Sequence, residues 1–243
     1  MAASCAAANP AACRAGKAFP LPPRRWAPID GVLLNRSPAD DPAALEKLRA
    51  LSADEVTSGL NMMALFAPGP RTFASPFVDG NVAVDVSEAY RTGNFGKVPM
   101  MIGATSADFG GKTGFMIAGA RSVSNAISDQ GVPVYAYRFS YVAESVAQPG
   151  AQHATDIPFF FDTQAIKYAD KTTVRDNELG KTILAYLVNF ARNGNPNGAG
   201  LPEWKSYSHA SDGLIDFADN GKAIPQKDPW GAELDAAPPS SPP

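Results

Sequence analysis

The sequence predicts an α/β fold, in which short apolar strands alternate with amphipathic helices. Residues 98–103 form a short apolar run between turn residues, which is typical of a buried strand. Residues 132–141 alternate between two faces and are rich in tyrosine and phenylalanine, as strands are. Residues 177–193 carry apolar side chains at helical spacing and are followed by Gly194, which indicates a helix with a glycine stop.

The composition is that of a folded protein. The chain has 243 residues, of which 45% are hydrophobic and 19% charged, so it can bury a substantial core. Its net charge is −3 and its lysines and arginines are scattered, which argues against a nucleic-acid partner. No apolar run approaches the ~20 residues of a membrane span. The two cysteines, Cys5 and Cys13, are too few for a metal site, and we expect no cofactor.

The two ends of the chain differ in composition from the middle. Residues 1–25 are rich in alanine and proline and are interpreted as a flexible leader without a convincing signal peptide, so the compartment stays open. Residues 231–243 are predicted to be a disordered tail, because six of the last eight residues are proline or serine. Residues 26–230 remain as the folded domain.

Helices dominate the first part of this domain. Asp41-Pro42 begins a helix through Leu51, with proline in the first turn, where its missing N–H costs little. Ser52 and Glu55 form a capping box for a second short helix toward Leu60. A turn follows at residues 76–80, and a third short helix begins at Ser87-Glu88 and ends near Gly93.

The alternation of predicted strands and helices begins with the strand at residues 98–103. Residues 121–128 are then expected to be helical, and the aromatic strand 132–141 follows, with its tyrosine and phenylalanine face in the core. The long helix 177–193 comes next, and residues 214–217 are a plausible last strand.

Five segments, taken in chain order, resemble segments of one known protein family. They are the turn 76–80, residues 103–110 with Asp108 five positions after Gly103, the strand 134–139, residues 150–161 with His153, and residues 190–207 with Trp204 and Tyr207. Together they resemble the type B carboxylesterases, the α/β-hydrolase family that includes bacterial para-nitrobenzyl esterases and the cholinesterases. The resemblance covers residues 44–219. It implies an α/β-hydrolase fold, truncated to its C-terminal strands and helices.

The resemblance assigns Asp108 and His153 to the acid and the histidine of a catalytic triad. In such a triad the histidine takes the proton of the nucleophile, and the carboxylate fixes its tautomer. The order acid, then histidine, fits this fold. Each residue follows a predicted strand, so we expect the two to meet where neighbouring strands end.

Plainer interpretations stay open for the residues around this pair. A lone histidine in a loop is usually a surface residue, and Asp108 is also compatible with an ordinary turn. Asp156 either supports His153 electrostatically or caps the following segment, which we favour. The run 159–161 either lines an acyl pocket or packs under the histidine loop, which we also favour, and His209 is expected to be a solvated loop residue.

Two features of the esterase pattern are missing from the sequence. No serine lies in a Gly-x-Ser-x-Gly pattern, and no His-Gly-Gly stretch offers oxyanion-hole N–H groups. Ser106 and Cys5 are weakly motivated as substitute nucleophiles. We therefore expect a carboxylic ester hydrolase homologue that is inactive alone and acts on a carboxylic ester only with an N-terminal half supplied by another chain. The alternatives are a non-catalytic binding protein and a gene remnant.

Overall fold

A computed structural model describes residues 41–57 and 83–237 of the chain. The described residues fall into two units, which divide between Asp85 and Val86. The expected leader, the turn at residues 76–80 and Cys5 lie outside the described residues.

The described part of the first unit contains two short helices, α1 (Ala44–Arg49) and α2 (Ala53–Thr57). Asp41 accepts a hydrogen bond from the Ala43 N–H at 2.9 Å, directly before α1. Ser52 and Glu55 form the predicted capping box, because the Ser52 N–H donates to Glu55 Oε2 at 3.0 Å and the Glu55 N–H donates to Ser52 Oγ at 3.3 Å.

The second unit alternates strands and helices, which confirms the α/β class. Its elements, in chain order, are α3 (Val86–Thr92), β1 (Met100–Thr105), α4 (Phe115–Ser128), β2 (Val134–Phe139), α5 (Ile157–Phe160), α6 (Gln164–Tyr168), a 3₁₀ turn (Ala169–Lys171), α7 (Val174–Asn193), β3 (Gly213–Phe217), β4 (Ala223–Lys227) and α8 (Gly231–Ala236).

The four strands form one mixed sheet in the order β1-β2-β3-β4. The first three are parallel, with Met100 opposite Val134 and Tyr137 opposite Ile215, and β4 returns antiparallel to β3. The carboxyl ends of β1 and β2 therefore lie side by side, and the loops that leave them are neighbours.

The largest core cluster lies between the sheet and α7. Trp204 is 1% exposed at its centre, and its ring meets those of Tyr186 and Phe217 edge-on. The indole N–H donates to the Ala136 carbonyl on β2 at 3.0 Å. Tyr135 and Phe139 are also buried in this cluster, so the aromatic face of the predicted strand is core, as expected.

Helix α7 begins three residues before its predicted start. Thr173 caps it and forms a capping box with Asp176, in which the Thr173 N–H donates to Asp176 Oδ2 at 2.8 Å. The helix ends as predicted, because Gly194 takes a left-handed conformation with a φ of 66°.

The end of the domain differs from the prediction. Disorder was expected from residue 231, but Gly231–Ala236 forms helix α8, and residue 237 is also described. Leu234 is 6% exposed in a small core with Ile117, and the Asp235 carboxylate pairs with Arg121 at 2.6 Å. These long-range contacts hold the segment, so the composition of the last eight residues was a poor guide to the residues before them.

Strand β4 was also absent from the prediction. It pairs with β3 along its whole length, with Ala223 opposite Phe217, and lies at an edge of the sheet. Pro225 is tolerated there because an edge strand need not donate every backbone N–H to a neighbour.

Candidate active site

Asp108 and His153 lie in the two loops that leave the carboxyl ends of β1 and β2. Asp108 comes three residues after the end of β1 and is 6% exposed. His153 lies between β2 and α5, and its side chain is 43% exposed. The structure thus places a buried carboxylate and a partly exposed imidazole at the same edge of the sheet.

The two side chains are in hydrogen-bond contact, with His153 Nδ1 2.8 Å from Asp108 Oδ1. When the carboxylate is ionised it can only accept, so in a neutral ring this contact requires the proton on Nδ1 and leaves Nε2 as an acceptor. Among the described residues, the His153 ring makes this hydrogen bond through Nδ1 and none through Nε2. The ring of Phe109 packs on the imidazole with the centroids 4.5 Å apart.

Two further donors hold the Asp108 carboxylate. The Phe109 N–H donates to Oδ1 at 2.7 Å, and the Thr105 hydroxyl donates to Oδ2 at 2.9 Å. Together with the contact to His153, these donors fix the position of the carboxylate. Thr105 was not among the predicted site residues; its place three residues before the acid, within the segment 103–110, was the signal that could have identified it.

The acid turn and the histidine loop are joined through their backbones. The Ala107 N–H donates to the Ala151 carbonyl at 2.8 Å, and the Ala151 N–H donates to Ser106 Oγ at 3.2 Å. Gly150 has a φ of 75°, and a Cβ there would lie 2.9 Å from the Ala107 Cβ. The loops therefore approach too closely for a side chain at residue 150, and Ser106 serves as a tie between them.

Helix α5 follows the histidine loop and packs against the core. Phe159 is 1% exposed and its ring lies 5.4 Å from those of Phe139 and Tyr141. Phe161 is 63% exposed. The favoured packing role is thus correct for Phe159, whereas Phe161 faces solvent.

Asp156 occupies the N-cap position of α5, but its carboxylate makes no capping hydrogen bond. The side-chain capping role that we favoured is therefore wrong. The carboxylate instead accepts a long hydrogen bond from the Tyr137 hydroxyl at 3.4 Å. Burial raises the pKa of Asp156, and the hydrogen bond from the Tyr137 hydroxyl opposes this rise.

Three other expectations concern residues away from the pair. His209 is exposed, as expected, and its Nε2 lies 3.8 Å from an Asp235 oxygen. Within residues 41–57 and 83–237, no group of three His, Cys, Asp or Glu side chains is arranged to bind a metal. None of the helices in these two ranges is long and apolar enough to cross a bilayer.

Comparison with known proteins finds sequence similarity to carboxylesterases. Residues 112–229 match the model of the carboxylesterase family. Rat (Rattus norvegicus) carboxylesterase 1C is 36% identical over 90 residues, covering 35% of this chain and 16% of the relative. The medium-chain fatty acyl-CoA hydrolase precursor of Anas platyrhynchos is 40% identical over 84 residues, covering 32% and 15%. Rat liver carboxylesterase 1F is 32% identical over 132 residues, covering 52% and 23%.

The family match and the mixed sheet together confirm the predicted fold class, an α/β-hydrolase fold. The chain spans only 15% to 23% of the length of these three relatives. His153 lies inside the segment that matches the family, whereas Asp108 lies just before it.

Proposed function

We propose that this chain carries the acid and the histidine of a carboxylic ester hydrolase, with Asp108 and His153 in those roles. The observation that supports the proposal is the 2.8 Å contact between His153 Nδ1 and the buried Asp108 carboxylate. The imidazole of His153 is itself partly exposed, so a substrate can reach it. Because the chain is similar to carboxylesterases, we propose a carboxylic ester as the substrate class. The Ala107-Asp108 pair at the acid turn favours a subtype similar to the bacterial para-nitrobenzyl esterases.

In this proposal the nucleophile comes from outside the described residues. A serine hydroxyl gives its proton to His153 Nε2 while its oxygen forms a bond to the ester carbonyl carbon. The Asp108 carboxylate stabilises the imidazolium that results. The imidazolium then protonates the leaving alcohol as the ester bond breaks, and a water molecule hydrolyses the acyl-serine by the same proton transfers in a second round.

We further propose that the chain does not turn over esters alone. Its sequence contains neither a Gly-x-Ser-x-Gly serine nor a His-Gly-Gly stretch for the oxyanion hole. An esterase without its triad serine keeps only the catalysis that the oxyanion hole and binding supply, roughly 10³–10⁴ over water. In this proposal activity depends on a serine-bearing N-terminal half that is not in this sequence, and a second chain is its proposed source.

The test is co-expression with a neighbouring reading frame that encodes a Gly-x-Ser-x-Gly serine, followed by assay with p-nitrophenyl acetate. The single chain is expected to show background hydrolysis only, and the pair is expected to gain turnover. The variant His153→Ala should remove the gained turnover. His209→Ala is the matched control, because His209 is the other histidine of the chain and is exposed.

A fluorophosphonate probe gives a second measurement, since it labels only a serine that a working histidine activates. We expect it to label the co-expressed half with wild-type chain and not with His153→Ala. Turnover by the single chain that survives His153→Ala would contradict the proposal. A stable complex that binds ester without turnover would favour a non-catalytic binding protein instead.

A further inference from the structure

Thr105 is the last residue of β1 and is 1% exposed. It lies opposite Phe139 in the register with β2, at the point where the strand passes into the acid turn. Its hydroxyl donates to Asp108 Oδ2 at 2.9 Å. A threonine side chain is branched at Cβ and has few accessible rotamers, so a buried threonine on a strand holds its hydroxyl in a fixed direction.

The hydrogen bonds of Asp108 are divided between its two oxygens. Oδ1 receives the Phe109 N–H at 2.7 Å and contacts His153 Nδ1 at 2.8 Å, whereas Oδ2 receives the Thr105 hydroxyl. The last torsion of an aspartate is soft, and the carboxylate can turn about it at little cost. Donors on Oδ1 alone fix the position of one oxygen, but a donor on Oδ2 is needed to fix the plane of the group.

We propose that Thr105 is a positioning residue for the candidate triad, setting the plane of the Asp108 carboxylate so that Oδ1 stays directed at His153 Nδ1. This holds the imidazole in the tautomer with the proton on Nδ1 and Nε2 available. The inference rests on the proposed roles of Asp108 and His153. Thr105 itself touches neither the imidazole nor a reacting atom in this arrangement.

The test exploits the fact that the chain has only two histidines. In the full chain labelled with ¹⁵N, long-range ¹H–¹⁵N correlation spectra report which ring nitrogen of each histidine carries the proton, above the pH at which the rings are charged. We expect the wild-type His153 to show a protonated Nδ1 and an unprotonated Nε2. Exposed His209 is the internal reference.

Two variants separate positioning from simple packing. Thr105→Val keeps the shape of the side chain and removes the hydroxyl, and we expect the His153 nitrogen shifts to move toward the exchange-averaged pattern of a free imidazole. Thr105→Ser restores a hydroxyl, and we expect it to restore the wild-type pattern. If Thr105→Val does not fold, Thr105→Cys replaces it, since a thiol is a weak donor of similar size.

The outcomes distinguish this inference from the proposed function. A Thr105→Val protein that is less stable but keeps the wild-type His153 pattern would overturn the positioning role and leave the esterase proposal intact. A wild-type His153 without a preferred tautomer would overturn both. When the chain is co-expressed with the serine-bearing half, Thr105→Val is expected to lower kcat by at least roughly tenfold, which corresponds to the loss of one hydrogen bond to a charged group. KM is expected to change by less than about twofold. An unchanged kcat would also refute the positioning role.

Discussion

Replacing Asp176 with alanine tests whether the start of α7 depends on one buried carboxylate. Asp176 is 0% exposed, and its Oδ2 accepts from the Thr173 N–H at 2.8 Å and from the Thr173 hydroxyl at 2.9 Å. Its Oδ1 accepts from the Tyr141 hydroxyl at 2.7 Å, which ties the helix to the segment that follows β2. The substitution therefore removes half of the capping box and leaves a tyrosine hydroxyl without this acceptor.

The magnitude follows from these two losses. A capping interaction of this kind contributes about 1 kcal/mol, and a buried polar group left without its partner costs about 1–3 kcal/mol. We therefore expect Asp176→Ala to lower the free energy of unfolding by about 2–4 kcal/mol. Tyr141→Phe removes only the second contact and leaves the capping box in place, so we expect a loss of about 1.5–3 kcal/mol.

Urea unfolding followed by far-UV circular dichroism measures both losses. The matched control is Thr182→Ala on the same helix, where the exposed threonine hydroxyl donates to the Glu178 carbonyl at 2.9 Å. We expect the control to lie within about 0.5 kcal/mol of wild type. If Asp176→Ala proves no more destabilising than this control, the buried carboxylate does not stabilise the helix start and the reasoning fails.

Four other substitutions test separate features of the fold by urea or thermal unfolding. Gly119→Ala within α4 is expected to raise the free energy of unfolding by about 0.5–1 kcal/mol, because a Cβ there meets no atom within 4 Å. Gly180→Ala in α7 is expected to lower it, because its Cβ would lie 2.6 Å from the buried amide of Gln164. Equal effects of the two substitutions would contradict both expectations. Arg121→Met is expected to cost about 3–5 kcal/mol, because the buried Asp212 carboxylate loses its cation and the buried Asp228 carboxylate keeps only Arg138. A neutral result would show that the pairs with Arg121 add nothing. Asp156→Asn is expected to raise Tm near neutral pH, because burial raises the native pKa of this carboxyl group and its ionised form therefore destabilises the folded state. The advantage of the variant should shrink as pH falls through the native pKa. An advantage that grows on acidification would show that the native pKa of Asp156 is not raised.

The sequence was most informative where local pattern and tertiary structure agree. The aromatic alternation of residues 132–141 predicted β2, and the apolar stripe with its glycine stop predicted the end of α7. The proximity of Asp108 and His153 could be expected because both follow parallel strands, and the structure brings them to 2.8 Å.

The missed features depend on contacts with other elements, which the sequence of each segment does not itself indicate. Strand β4 exists because β3 offers it a partner, and its own sequence contains a proline. Helix α8 is held by Leu234 in a buried cluster and by the pair of Asp235 with Arg121, more than a hundred residues away. The Asp156 side chain was expected to cap α5, but the hydroxyl of Tyr137 on β2 provides a partner that no local pattern indicates.

The backbone contact between the acid turn and the histidine loop has a consequence for the spacing within the site. The Ala107 N–H is hydrogen-bonded directly to the Ala151 carbonyl, one residue before Asp108 and two residues before His153. This contact is therefore a local constraint on the spacing between carboxylate and imidazole. A substitution that shifts the backbone of either loop is expected to change the distance between His153 Nδ1 and Asp108 Oδ1, even when neither side chain is replaced.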